Sequence, residues 1–330
     1  MSRIPRASVR GTATALAAGS RPFFAGVAAV SIPSCMLRVS SAVMCDSLVA
    51  LGPATADGVT LFAKNSDRPP AERQLIEWSE PRRELTTRAT HIEIVGAGGP
   101  TLRCVISRPE WCWGAEHGVN EAGVAIGNHT IYTTLDPRPF PPALIGMDLV
   151  RLGLERGETA ASAVDIILGL LDQYGQGGTG HDVAIVGRDK PYWSSFLVAD
   201  PREAWMVETS GKRWAAVPVE PTAAMSNRTC VPSFDAENRH PAQPVERLID
   251  PRLAASQAVL AARPVTFDAI AAHLRSHDSC VEPGWSVCMH VDHEEATTAS
   301  MIARLPTGAR PTAWMLTGSP CQENYTPFRL

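Results

Sequence analysis

The sequence predicts an α+β fold in which sheets and helices pack as segregated layers rather than alternating along the chain. Three observations lead there: short β-rich runs are clustered with turn residues between them, two helix pairs interrupt the clusters, and no linker divides the chain. Of the 330 residues, 45% are apolar and 19% charged, which suits a large core and excludes a disordered, collagen-like or coiled-coil chain.

The first cluster opens at Cys45-Asp46-Ser47-Leu48-Val49-Ala50. A turn ending in Asp57-Gly58 leads back through Val59-Thr60-Leu61-Phe62-Ala63-Lys64-Asn65, the pattern of a hairpin. Strand-like runs follow at 102–106, where Cys104 reads as a small core residue, and at 123–128. Residues 144–154 and 158–174 read as the first helix pair. In the second helix Ala160, Val164, Ile167, Leu168 and Leu171 recur on one face, and the glycines of 175–180 stop it. Strands are expected at 195–199, 204–208 and 213–217. A second helix pair at 253–262 and 267–277 is split by Arg263-Pro264, and strands at 299–305 and 313–316 close the chain. The proline-rich stretches 137–142 and 232–244 read as surface loops.

Residues 1–44 stand apart. They carry five arginines and no other charged residue, so removing them takes the formal net charge from −4 to −9. A propeptide, a targeting segment and a mis-assigned start all fit that composition, and the segment is expected to be disordered, with a single domain over 45–330. The acidic balance argues against nucleic acid as a partner. No later apolar run reaches the length of a membrane span, so no membrane partner is expected either. Eight cysteines at 35, 45, 104, 112, 230, 280, 288 and 321 become an odd seven once residues 1–44 are set aside. Scattered through a long chain, they point to a reducing, cytoplasmic setting. Cys280-x7-Cys288-Met289-His290-x2-His293 matches none of the close-paired zinc spacings, so no metal or cofactor is predicted. A zinc protein using Cys280, Cys288 and His290 is the minor alternative.

Chemistry begins at Met44-Cys45. Removal of Met44 would leave Cys45 with a thiol nucleophile and, on the same residue, an amine of ordinary pKa roughly 7.7–8.0 to act as its base. The hairpin returns Lys64-Asn65-Ser66-Asp67-Arg68-Pro69 beside it. Lys64 could favour the thiolate and Asp67 could orient the amine; the alternative is a polar turn after an edge strand.

Those residues, together with the block Ile106-Ser107-Arg108-Pro109-x-Trp111-x-Trp113-Gly114-Ala115-Glu116, resemble the secernins, which belong with a dipeptidase family of cysteine-type N-terminal-nucleophile (Ntn) hydrolases. Asn120-Glu121-x-Gly123, Met225-Ser226-Asn227, Val287-Cys288-Met289-His290 and Thr297-Thr298-Ala299-Ser300 extend the likeness nearly to Leu330. The resemblance implies a four-layer αββα sandwich of two mainly antiparallel sheets and hydrolysis of a small peptide or acyl-amide. It implies that Cys45 is the nucleophile, that Lys64 and Asp67 set its charge state, and that Asn128 and Asn227 hold the oxyanion. A non-hydrolytic secernin-like protein acting through partners, with Cys45 modified or idle, is the alternative. Lys64 stands where the wider superfamily has arginine, and His129 stands where secernins carry an acidic residue. Arg108, Trp111, Trp113 and Glu116 are candidates for substrate binding, against cross-strand packing for the tryptophans and an Arg108–Glu116 ion pair. Homo-oligomerisation is left open.

Overall fold

The Cys45 run forms the expected hairpin in a computed structural model that describes residues 44–243, 245–278 and 282–330. Strand β1 (Cys45–Ala50) pairs antiparallel with β2 (Thr60–Arg68), Cys45 opposite Ser66 and Ser47 opposite Lys64. Gly58 turns the chain at φ 74°, a conformation that favours glycine. The expectation for the upstream segment lies outside the described residues, as do Cys35 and Cys280.

Next come β3 (Gln74–Ser79), the small pair β4 (Thr86–Arg88) and β5 (Glu93–Val95), β6 (Cys104–Pro109), β7 (His117–Asn120) and β8 (Ala125–Ile131). Helices α1 (Gly146–Arg156), α2 (Ala160–Tyr174) and the single turn α3 (Val183–Val186) precede β9 (Trp193–Ala199), β10 (Ala204–Ser210), β11 (Arg213–Pro218) and β12 (Thr222–Met225). Helices α4 (Pro232–Asn238), α5 (Val245–Leu248), α6 (Asp250–Ala261) and α7 (Phe267–Leu274) follow. The described chain ends with β13 (His290–Val291), β14 (Glu295–Leu305), β15 (Thr312–Thr317) and β16 (Thr326–Arg329).

Two large sheets result. The first runs β12-β1-β2-β14-β15-β16 with β13 on β14; the second runs β11-β10-β9-β8-β7-β6-β3. Their pairings are antiparallel throughout. Val49, Phe62, Met301 and Ala313 from the first sheet meet Val105, Val119 and Leu197 from the second. Leu48, Ala63 and Ile302, on the other face of the first sheet, pack on Leu260, Ile270 and Leu274 of α6 and α7. Ile106, Ile126 and Phe196, on the outer face of the second, pack on Leu149, Val150 and Ile167 of α1 and α2. The order is therefore helix, sheet, sheet, helix, the four-layer αββα sandwich, within one compact unit, Ser41–Leu330. Among the described residues no helix is long and apolar enough to cross a membrane.

Two expectations need correction. The first helix, expected over 144–154, runs through Gly153 to Arg156 and is capped by Gly157. A Cβ at Gly153 would come within 2.9 Å of Ile126 Cδ1, so this glycine lets helix and sheet approach closely. The stretch 232–244 is not all loop, because Pro232 opens α4 and Phe234 packs with Ile131 and Trp193. Cys104 is a buried core residue, as its apolar run predicts.

Candidate active site

Alternation along β1 and β2 decides which groups share a face. Ser47 and Val49 point between the sheets, so Cys45 does too, and Lys64 and Ser66 opposite them point the same way. Asp46, Asn65 and Asp67 point outward, toward the α6–α7 layer. Cys45, Lys64, Asp67 and Asn227 are all fully buried. Strand pairing thus gathers Cys45, Lys64 and Asp67 at one end of a central hairpin, the thiol and ammonium on one face and the carboxylate on the other.

The cradle is built around the nitrogen of Cys45. Its N–H donates to Asn227 Oδ1 at 2.6 Å, and Asn227 Nδ2 donates to the Thr130 carbonyl at 3.0 Å. Arg252, at the start of α6, donates through Nε and Nη2 to Asp46 Oδ2 at 2.9 and 2.7 Å. Its Nη2 also lies 3.5 Å from both Asp67 Oδ2 and Asn227 Oδ1. Thr297 donates its hydroxyl to Asp67 Oδ1 at 2.6 Å, and the Asp67 N–H donates to the Met44 carbonyl at 2.9 Å.

Burial pushes the Cys45 thiol up to about 12, with Lys64 the largest opposing influence. Burial likewise raises Asp67 to about 7 against the pull of Arg252. These shifts describe Cys45 inside a peptide bond, with Met44 buried over it. Two histidines of the second sheet complete the inner face, His117 Nδ1 at 3.1 Å from Ser66 Oγ and His129 Nε2 at 2.7 Å from Ser47 Oγ. Burial and then Lys64 depress both, which keeps them neutral.

A second buried cluster adjoins the first. Arg68 donates to Glu72, Glu116 and the Gly180 carbonyl. Against the burial that would raise it, Arg68 and His181 hold Glu72 down to about 2. Glu295, the first residue of β14, is buried with neither carboxylate oxygen hydrogen-bonded within the protein, and burial raises it well above the ordinary range. The phenol of Tyr132 lies within electrostatic reach of both Glu295 and Cys45.

Four sequence expectations change. Asn128 does not face Cys45: Gly127 and His129 on either side of it face Lys64 and Ser47, so its side chain lies on the outer face near Gly146 and Ser194. In this arrangement the Asn128 side chain is not directed at Cys45. Arg108 does not pair with Glu116. It grips Glu77 with two donors, at 2.8 and 3.1 Å, and gives Nη1 to the carbonyls of Pro109, Glu110 and Cys112. Trp113 is not a cross-strand packer, since it lies between β6 and β7, packs against the α1–α2 core and carries the Arg151 guanidinium 4.4 Å from its ring. Asn227 meets Cys45 as an acceptor, so it holds the nitrogen rather than an oxyanion. Trp111 donates to Glu72 at 3.4 Å, and with Glu116 it belongs to the Arg68 cluster. Arg252, Glu295 and His117 were missed, while Thr297 and His129 were named only by their place in the family motifs. Arg252 stands one residue before the expected helix 253–262, and only the observed start of α6 at Asp250 brings it into the helix.

Residues 44–253 match the sequence profile of Peptidase family C69. The chain belongs to that family. It is thereby a cysteine hydrolase of amide bonds, and the profile begins at Met44, beside Cys45. Similar solved structures include two variants of conjugated bile acid hydrolase from Clostridium perfringens. One is 11% identical, covers 87% of this chain and 96% of that one, and has a TM-score of 0.48. The other is 10% identical, with 86% and 97% covered and a TM-score of 0.49. The Caenorhabditis elegans ortholog of N-acylethanolamine-hydrolyzing acid amidase is 12% identical, covering 78% and 92%, with a TM-score of 0.46.

Proposed function

We propose that this C69 chain is a dipeptidase whose working form begins at Cys45. The reading rests on one observation: the Cys45 nitrogen, an ordinary peptide N–H in an uncleaved chain, donates to the buried Asn227, which Arg252 approaches at 3.5 Å while pairing with Asp46 and reaching toward Asp67. Such surroundings suit an amine that must be oriented and must exchange protons.

Removal of Met44 turns that N–H into the α-amine and takes away the acceptor of the Asp67 N–H. The amine, hydrogen-bonded to Asn227, accepts the thiol proton while Lys64 stabilises the thiolate. The sulfur then attacks the peptide carbonyl, and the freed Asp67 N–H donates to the developing oxyanion, an interaction worth ~3 kcal/mol in comparable sites. The ammonium passes its proton to the leaving amine, and water hydrolyses the thioester, regenerating the thiol. A dipeptide is favoured over an uncharged acyl-amide by Glu295, whose unpartnered carboxyl suits a substrate ammonium, which would also ionise it.

The test is a panel of dipeptides, N-acetyl dipeptides and acyl-amides given to protein shown by mass spectrometry to start at Cys45. Dipeptides are expected to be cleaved, their N-acetylated forms at least 10-fold more slowly, and Cys45→Ala to abolish turnover. Preferred cleavage of acyl-amides would overturn the dipeptidase reading. Inactivity toward all three in ordered protein would favour the non-hydrolytic alternative.

A further inference from the structure

On the side of β14 remote from α1, the side chains of His277, Cys288, His290 and Cys321 converge, and the reaction above uses none of them. Their ligand atoms all lie within 4.8 Å of one another. His290 Nε2 is 3.5 Å from Cys288 Sγ and 3.2 Å from Cys321 Sγ, and the rings of His277 and His290 meet edge to face at 5.2 Å and 67°. Bonds of about 2.3 Å to sulfur and 2.05 Å to nitrogen make the sulfur–nitrogen edge of a tetrahedron about 3.5 Å. The observed spacings match that edge to within a few tenths of an ångström.

We propose that His277, Cys288, His290 and Cys321 bind one zinc(II) ion. Two thiolates and two imidazoles are a borderline-soft donor set suited to zinc, and four protein ligands close the tetrahedron with no position left for water or substrate. The ion is therefore structural. Binding replaces the two thiol protons, which are released to solvent.

The segments that carry the ligands are held in place by contacts that do not involve the cluster. His277 follows α7, Cys288 and His290 flank Met289 at the start of β13, and Cys321 lies between β15 and β16. The Cys288 N–H donates to the Ser276 carbonyl at 3.0 Å, and Ser286 Oγ donates to the Cys288 carbonyl at 2.6 Å. The His290 N–H donates to the Gly284 carbonyl at 2.9 Å. Gly284 adopts φ 81°, and a Cβ there would collide with the His290 carbonyl. Ser319 Oγ donates to the Thr297 carbonyl at 2.9 Å and anchors the turn that presents Cys321.

Such an ion would brace the active site from behind. Met289, between two of the ligands, donates its N–H to Thr297 Oγ1 at 2.9 Å and accepts from the Thr297 N–H at 3.0 Å; Thr297 in turn holds Asp67. Asn65 Nδ2 donates to the Val287 carbonyl at 2.9 Å, which ties β2 to the same segment.

Tag-free protein purified without chelator and dialysed against zinc chloride, then buffer, is measured for all first-row metals by mass spectrometry. One zinc per chain is expected. Replacement by cobalt(II) is expected to give a thiolate-to-cobalt charge-transfer band and tetrahedral ligand-field absorption. The exposed Cys321 is the safest ligand to change: Cys321→Ser should fold, weaken zinc binding at least 10-fold and lose the stabilisation against heat that zinc gives the parent. Zinc absent after dialysis, a metal content unchanged in Cys321→Ser, or a Cys288–Cys321 disulfide in freshly purified protein would each overturn the proposal.

Discussion

Asp67 shows how burial, aided by a neighbouring carboxylate at Asp46, can invert the usual behaviour of a carboxylate. Its folded value near 7 stands well above the 3.8 of a solvated aspartate, because burial outweighs the attraction of Arg252. Between those values the folded chain keeps a proton that the unfolded chain has lost, so this group makes stability fall as pH rises from about 4 to about 7, by up to ~1.4 kcal/mol per unit. Glu72 behaves oppositely: held down to about 2, it contributes stability that is complete above 4.5 and is lost as pH falls toward 2. Asp67→Asn removes the first dependence and leaves the second. Its melting temperature, followed by calorimetry from pH 4 to 8, should gain on the parent as pH rises; parallel curves would refute the assignment. That Cys45, Lys64 and Asp67 meet was legible in the sequence, because they lie on one hairpin and its register is local. The sequence could not show Asp67's surroundings, because Arg252 and Thr297 arrive from positions far along the chain.

At the scale of elements, α6 is tied to β1 by a buried charge pair. Arg252 and Asp46 are both wholly buried, and the guanidinium also reaches toward Asp67 and Asn227. Removing one partner strands the other, a loss usually of about 3–5 kcal/mol. Arg252→Ala is expected to cost that much in urea unfolding of the Cys45-terminated protein, whereas the double variant Asp46→Ala/Arg252→Ala should cost less than the sum of the singles. Additive losses would mean that the pair is not coupled. Helix periodicity located α2 almost to the residue, since Thr159 caps one end and Gly175 turns out of the other. The α1 boundary was misjudged because a glycine can mark a close approach as well as a stop. Asn128 was misplaced for a related reason: its position in a motif does not say which face of β8 its side chain takes, and a shift of one residue inverts the answer.

For the molecule as a whole, Met44 and Cys45 both lie buried, so in the uncleaved chain the Cys45 thiol is shut away from solvent. Alkylation by iodoacetamide, read as a mass increase at Cys45, is expected to be at least 10-fold slower in the chain that retains Met44 than in the one starting at Cys45. In the longer form the thiol is buried and held near 12. Equal rates would show that the upstream residues do not shield it. By itself the sequence determined the layered α+β architecture, the hairpin that brings Lys64 and Asp67 to Cys45, and the family to which the chain belongs, since periodicity and motif spacing are properties of neighbouring residues. Only the tertiary structure decided that Arg108 grips Glu77 and Trp113 carries Arg151, that Asn128 faces away, that Arg252 joins Asp46 beside Asp67 and Asn227, and that His277, Cys288, His290 and Cys321 meet. Side-chain partners are chosen by strand parity and by packing between distant segments, and neither is written in the order of residues along any one of them.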